Sequence, residues 1–302
     1  MIKNNNSLKL MKRRDTLSGY LFIMPTILST MVFLLFPIVY SFYLSFTEWN
    51  LINPAKFIGL ENYTQKMMQD EQFWVSLKNT VIFSVLSIPM GIAISLFFAL
   101  LLNQALRGVT IYRAIVFLPV IVSMVSIGMV WRWVFNTDVG ILNYFLNLLT
   151  IPSIGWLSDE RFALTSVAII GIWKSIGFNM VILLAGLKGV PSHLYEAARI
   201  DGAGKAARLF KITIPLITPS LFFVTVMSIL ASFQVFDLIY IVTKGGPGDS
   251  TRVVYYWLYQ NAFNFFNMGY ASALAWVVFL ILLMITLFQF KFLGKRINYE
   301  MD

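Results

Sequence analysis

The sequence predicts an all-α integral membrane protein with six membrane-spanning helices. Three observations carry that prediction. Hydrophobic residues make up 58% of the 302 residues, charged residues only 12%, and the mean hydropathy is +0.75; soluble domains hold about 25% charged residues. Six apolar stretches, at 20–46, 76–102, 112–135, 162–187, 213–241 and 271–293, each supply the ~20 residues a helix needs to cross a bilayer. The basic residues that give the net charge of +9 fall in the gaps between those stretches and form no soluble face, so membrane wins over nucleic acid as the meaning of the charge.

Each element follows in order. Residues 1–19 form a polar, basic tail, with 1–14 expected to be disordered. The first span is longer than a signal-peptide core and lacks a small-residue cleavage site, so it reads as an uncleaved anchor. Pro25, Pro37, Pro89, Pro119, Pro215 and Pro219 lie in or at the ends of spans and predict kinks, tolerated where neighbouring groups satisfy the freed carbonyls. The connections 47–75, 136–161 and 242–270 are long and aromatic, with Trp49, Trp74, Trp156, Tyr255, Tyr256, Trp257, Tyr259 and Phe263 among their rings. Interfacial belts account for most such residues, and the same surface could receive an external partner. A tail of 294–302 closes the chain.

Lysine and arginine set the orientation. With the N-terminus inside, inner segments hold 15 of the 23 basic residues and outer segments 7, with Lys174 inside a span. The excess places both termini, and the loop 188–212, on the cytoplasmic side of a plasma membrane.

Composition excludes several chemistries. There are no cysteines, and His193 is the only histidine, so thiolate and histidine metal sites are absent. No GxxxxGK[ST] sequence is present. Lys244-Gly245-Gly246-Pro247-Gly248 is glycine-rich but lacks the following Lys-Ser/Thr and reads as a turn. No Ser/His/Asp set and no intramembrane carboxylate pair supports an enzyme. This chain is expected to carry no cofactor.

The stretch from Pro191 to Pro219 is more structured than a passive connector needs. Ser192 can cap a helix, Gly202 or Gly204 can end it in a left-handed conformation, and a second helix restarts at Lys205 and enters the next span through Pro215 and Pro219. Composition alone favours an amphipathic helix resting in the headgroups. The residues, however, match a spaced motif: Glu196-Ala197-Ala198, then Gly202, then Ile212, then Ile214-Pro215. This resembles the EAA motif of the membrane subunits of ATP-binding-cassette importers, departing from it only where Ile214 replaces a leucine. Trp173-Lys174, Gly177-Phe178-Asn179 and Ala185-Gly186-Leu187 are similar to the span before that loop in carbohydrate-importer permeases, and TKGGPGDST (243–251) and the run from Tyr259 to Ala271-Ser272-Ala273 are similar to their last outer loop and last-span entry.

The resemblance implies the type I importer permease fold within 20–293. It implies a coupling role for Glu196, Ala197, Ala198, Asp201, Gly202, Ile212 and Pro215. Its implied partners are a second permease subunit, two ATPase subunits carrying ATP and magnesium, an external solute-binding protein and a sugar or polyol phosphate, with no nucleic acid. The alternative is a secondary transporter or channel for a small polar solute. That would need inverted repeats or broken helices, and the sequence displays neither.

Two ionisable residues lie within spans, Lys174 in span four and Asp237 in span five. A charge at mid-bilayer costs about 2.5–3.5 kcal/mol, so each should face a partner or a cavity. One reading is a structural Lys174–Asp237 ion pair, or snorkelling to the surface; the other is a polar solute path. For the path, span four offers Trp173, Lys174, Ser175, Phe178 and Asn179, and span five offers Phe233, Gln234, Phe236 and Asp237. Helical spacing puts Phe233, Gln234 and Asp237 on one face.

Overall fold

The computed structural model describes residues 5–104 and 107–292 and is helical almost throughout. The first four residues, and the tail expected at 294–302, lie outside the described residues. The chain forms two compact units.

The first unit comprises the described residues up to Met67 together with Asn261–Trp276. Helix α1 (Asn5–Thr30) continues through a π turn (Met31–Leu35) into α2 (Phe36–Leu44). Residues 5–14, expected to be disordered, are helical here. They contain no proline or glycine, and Leu, Lys, Met and Arg are good helix formers. Two short strands, β1 (Thr47–Glu48) and β2 (Lys56–Phe57), pair antiparallel. Buried Asn62 fastens the end of α2 by donating from Nδ2 to the carbonyls of Ser45 and Thr47, at 2.8 and 2.9 Å. Trp276 seats edge-on against Phe42, with ring centroids 4.8 Å apart, and its indole N–H reaches Ser41 Oγ at 3.3 Å.

The second unit, Met68–Gln260 with the chain from Val277 onward, holds the polar span residues and the motif. Helices α3 (Glu71–Leu102) and α7 (Glu160–Lys188) make its most extensive pair. Both starts are capped by aspartates. Asp70 accepts from the backbone of Gln72 and Phe73, and Asp159 from that of Arg161. The Arg161 side chain also bonds Asp159 and holds its carboxyl down at about 2, so that the cap stays charged. Small and hydroxyl residues let α7 lie close to its neighbours. At Gly177 a Cβ would sit 2.6 Å from the Val116 carbonyl, so only glycine fits that crossing.

Between α3 and α7 the chain runs through α4 (Val109–Ile121), α5 (Met124–Val134) and α6 (Ile141–Leu148). After α7 come α8 (Ser192–Ile200), α9 (Lys205–Arg208), a π turn (Leu209–Thr213) and a single turn (Ile214–Leu216). Then follow α10 (Thr218–Phe233), α11 (Asp237–Val242), α12 (Val254–Tyr259) and the last helix α13 (Met268–Phe292).

Four helices, Ser18–Leu44, Glu71–Leu102, Glu160–Lys188 and Met268–Lys291, are long and apolar enough to span alone. The other two spans are broken. Span three bends by 97° between α4 and α5, and span five by 70° between Leu216 and Thr218. These breaks are sharper than the kinks expected from the prolines, and they supply the broken helices that the sequence did not display. Both lie next to prolines marked as kink sites: Pro119 precedes the first, and Pro215 and Pro219 flank the second. Pro89, by contrast, sits inside an uninterrupted α3.

Two apolar clusters organise this unit. One gathers Phe83, Ile127, Phe135, Val167, Ile170, Leu238 and Ile239; the other gathers Ala99, Met180, Leu183, Leu187, Ile217 and Val224. On α7 they end at Ile170 and begin again at Met180, and the polar residues of span four occupy the interval.

Candidate functional site

The break in span three leaves backbone carbonyls without helical partners. Val122 and Ser123 adopt extended ψ angles of 138° and 139°, which ends the hydrogen-bond ladder of α4. Lys174 meets this need. Its Nζ donates to the Pro119 carbonyl at 3.2 Å and the Val122 carbonyl at 2.9 Å. A cation at a helix C-terminus is also favoured by the helix dipole. The ion pairs among the described residues are Lys66–Glu48, Arg161–Asp159 and Arg252–Asp249. The proposed Lys174–Asp237 pair is therefore corrected: Lys174 serves the elbow, and Asp237 lies exposed in the first turn of α11, where a carboxylate suits the helix N-terminus. Asp237→Asn should accordingly leave the yield of the purified complex unchanged; a yield that drops with this substitution would restore the ion pair.

Beside Lys174 lies a cavity of about 350 Å³. Helix α7 contributes Gly171, Lys174, Ser175, Phe178 and Asn179; α3 contributes Phe83, Ser87, Ile88 and Gly91; the elbow contributes Val120 and Met124. Met227, Ser228, Ala231, Ser232, Val235 and Leu238 close it from the α10–α11 side. The walls are chiefly apolar, with a few polar groups converging. Ser175 Oγ donates to the Ile172 carbonyl at 2.9 Å, and Ser232 is held by Ser84 at 2.8 Å. Asn179 differs. It is 5% exposed, lines the cavity, and its side-chain amide bonds no other described residue. The amide opens onto the cavity, where a ligand or water can take its hydrogen bonds.

The structure thus brings together Lys174, Ser175, Phe178 and Asn179 of the residues read from the sequence. It does not bring Trp173, Phe233, Gln234, Phe236 and Asp237 to the cavity wall. Trp173 lies edge-on to Trp131 at 5.6 Å. Phe233, Gln234 and Asp237 do not share a helix face, because α10 ends at Phe233. Gln234 has φ −92° and ψ 10°, and Phe236 φ −130° and ψ −59°, before α11 begins. Phe233 is buried, while Gln234 and Asp237 are exposed. The missed lining residues, Ser87, Ser228 and Ser232, carried one signal: hydroxyls within apolar spans, which alone cannot be told from helix–helix contacts.

The motif segment is an exposed helix–turn–helix. Pro191 occupies the N-cap position of α8, so Ser192 is its first helical residue and makes no side-chain cap, contrary to expectation. The turn after α8 is closed by bonds from Asp201 N–H to the Ala197 carbonyl, Gly202 N–H to that of Arg199 and Ala203 N–H to that of Ala198. Gly202 takes φ +76° with open space around it, and of the two candidate glycines it is the left-handed one. Glu196, Ala197, Asp201, Gly202 and Pro215 are exposed, Ala198 and Ile212 half-buried. Exposed Ile200 and Phe210 add apolar surface. The Tyr195 hydroxyl and Thr213 Oγ1, 3.0 Å apart, tie α8 to the chain entering span five.

At the other end of span five the glycine-rich turn is fastened to α3. Asn79 Nδ2 donates to the Asp249 and Arg252 carbonyls, Gln72 bonds Asp249 and Arg252, and the Trp257 indole donates to Asp70 at 2.8 Å.

Broken apolar spans around a small, chiefly apolar cavity into which a few polar groups converge, with an exposed helix–turn–helix between spans four and five, define a membrane permease built to move a solute. Comparison with known proteins is specific. Residues 87–299 match the family model described as binding-protein-dependent transport system inner membrane component, and the chain belongs to that family. A probable ABC transporter permease, YesP of Bacillus subtilis, is 40% identical over 292 residues, covering 95% of this chain and 94% of that protein. The trehalose/maltose transport system permease MalF of Thermococcus litoralis is 34% identical over 292 residues, covering 95% and 97%. A bacterial ABC transporter involved in the import of the acidic polysaccharide alginate shares the fold, at a TM-score of 0.83 and 24% identity over 96% of this chain and 99% of that chain.

Proposed function

We propose that this chain is the permease subunit of an ATP-driven saccharide importer, and that the solute passes the cavity formed by Lys174, Ser175, Phe178 and Asn179. The observation that carries the reading is the unpartnered amide of Asn179 in a chiefly apolar cavity of about 350 Å³. A sugar offers hydroxyls to such an amide and an apolar ring face to Phe178 and Phe83. Supporting it are relatives whose names specify trehalose/maltose, sulfoquinovosyl glycerol and sn-glycerol-3-phosphate transport.

In this reading Glu196, Ala197, Ala198, Asp201, Gly202, Ile212 and Pro215 form the surface that docks on a separate ATPase, where ATP and magnesium bind. The excess of basic residues in the N-terminal tail, the loop and the other inner segments supports a cytoplasmic position for both termini and the loop. A second permease subunit, two ATPase subunits and an external solute-binding protein complete the assembly; a structural neighbour of this chain was solved with a pentasaccharide-bound periplasmic protein.

The test is Asn179→Leu in the complete complex, reconstituted in proteoliposomes. Leucine keeps the volume and removes the amide. Labelled saccharide uptake should fall about tenfold, the equivalent of ~1.4 kcal/mol, with complex yield unchanged. Uptake at the wild-type rate would move the solute path away from this cavity.

A further inference from the structure

The cavity wall carries an unbalanced charge. Among the described residues that line it, Lys174 is the single ionisable side chain, and none is Asp or Glu. Lys174 belongs to none of the ion pairs among the described residues. Asp237 precedes the lining residue Leu238 but is itself exposed and outside the wall. An ammonium has three N–H donors. Two of those on Lys174 Nζ go to the Pro119 and Val122 carbonyls, and the third bonds no described residue. The two carbonyls are neutral, and a helix C-terminus such as that of α4 supplies only about half an elementary charge. Part of the positive charge therefore stays uncompensated in a chiefly apolar space. The polar groups around it differ in what they have left to donate. Ser175 and Ser232 donate their protons to the Ile172 and Ile229 carbonyls, both at 2.9 Å. Asn179, 5% exposed and little more than a turn beyond Lys174 on α7, keeps both amide hydrogens.

We infer that the cavity selects an acidic saccharide with a single carboxylate, to which Lys174 Nζ and the Asn179 amide both donate. The inference rests on the reading of this cavity as the solute path and names the class of solute. A neutral sugar leaves the ammonium without a counter-charge. A carboxylate supplies it, and a hydrogen bond between ionised partners is roughly twice as strong as one between neutral groups. Walls of low dielectric constant keep that attraction unscreened. The count of charges favours a monoanion. One ammonium balances one carboxylate, whereas a phosphate ester, at about −1.5 to −2 near neutral pH, leaves an excess of negative charge in an apolar space. Phe83 and Phe178 remain for the ring carbons. Bracing of the elbow explains two of the Lys174 hydrogens. It does not explain a cation on the cavity wall with a free donor beside a buried, unpartnered amide.

The experiment compares cellobiouronic acid with cellobiose, which differ only in a carboxylate against a hydroxymethyl group at one C6. Affinities are measured by saturation-transfer NMR near neutral pH on the assembled complex in nanodiscs. Sugar-headed detergent and the external binding protein are left out, so that only the permease chooses. The wild type should bind the uronate about tenfold more tightly than cellobiose, as one charge-assisted bond implies. Asn179→Asp keeps the size of the side chain and places a fixed carboxylate on the same wall; the two affinities should then come within about twofold, through weaker binding of the uronate. Lys174→Arg, which keeps the charge, should retain the preference. Should Asn179→Asp fail to assemble, Ser228→Asp brings the same carboxylate from the α10 side. A wild type that binds neither sugar, binds both equally or prefers cellobiose would overturn the assignment and leave Lys174 a brace for the elbow. So would an undiminished preference in the aspartate variant. Labelled uptake by Asn179→Leu reports on the path separately. If that variant transports normally while the wild type prefers the uronate, the path reading fails and the acidic-sugar site stands.

Discussion

Gly202→Val abolishes coupled transport while leaving membrane insertion intact. Gly202 holds φ +76° at the exposed turn between α8 and α9, and a Cβ added there meets nothing within 4 Å. The effect of valine is therefore conformational and owes nothing to crowding. A left-handed residue with a Cβ costs roughly 1–2 kcal/mol, and β-branching makes valine one of the worst choices. The turn is closed only by the bonds to Ala197, Arg199 and Ala198, so the strain is relieved by opening it, which swings Glu196–Ala198 out of register with the chain entering span five. The apolar clusters lie elsewhere and keep the permease folded. Uptake and binding-protein-stimulated ATPase activity of the reconstituted complex should both fall about tenfold or more, since each 1.4 kcal/mol is a factor of ten. Gly202→Asn, which tolerates the left-handed region, should restore most of both. Stimulation at the wild-type level in the valine variant would remove this turn from the coupling path.

Lys174→Met destabilises the assembled complex. Methionine matches the stem but cannot donate, so the carbonyls of Pro119 and Val122 lose their ammonium. An acceptor left unsatisfied away from water costs about 1–3 kcal/mol, and the elbow these carbonyls belong to carries Val120 and Met124 into the cavity wall. The thermal midpoint of the complex should drop by several degrees and uptake should be lost with it. The double variant Lys174→Met, Asp237→Asn should be as unstable as the single one, because no ion pair joins the two side chains. Recovery of stability in the double variant would show that Asp237 is the partner after all.

Much of this was legible in the sequence, for identifiable reasons. Span count follows from lengths of apolar residues, and the left-handed turn follows from Gly202 at the end of a helix-forming run. The kinks near Pro119 and Pro215 follow from a missing N–H. The interruption at Gln234–Phe236 did not follow, because Gln-Val-Phe contains no proline or glycine and nothing local forbids a helix there. It goes with the packing, in which Val235 and Leu238 line the cavity and Phe236 packs against Tyr240, Tyr256 and Tyr259. A helical-wheel argument carried across that point put Phe233, Gln234 and Asp237 on one face that the chain does not have. Lys174 was rightly singled out as needing a partner. Its partner is backbone, and backbone carbonyls freed by a distant bend leave no trace in residue identities.

The elbow of span three has a consequence for how the membrane accommodates this chain. Its arms hold 13 and 11 residues, about 20 and 17 Å at 1.5 Å per residue, so neither reaches across ~30 Å of hydrocarbon by itself. Straight, the segment is a sufficient single crossing; turned through 97° it exposes peptide groups that lipid cannot hydrate. The lysine that answers them belongs to the following span, whose own entry into lipid is hindered by that charge at a cost of about 2.5–3.5 kcal/mol. Two defects, one of charge and one of backbone, thus cancel when the segments meet, and either alone would be a poor membrane helix. Only with span four beside it does the bent span three gain donors for its freed carbonyls, so the shape of the cavity depends on helix association as well as on insertion.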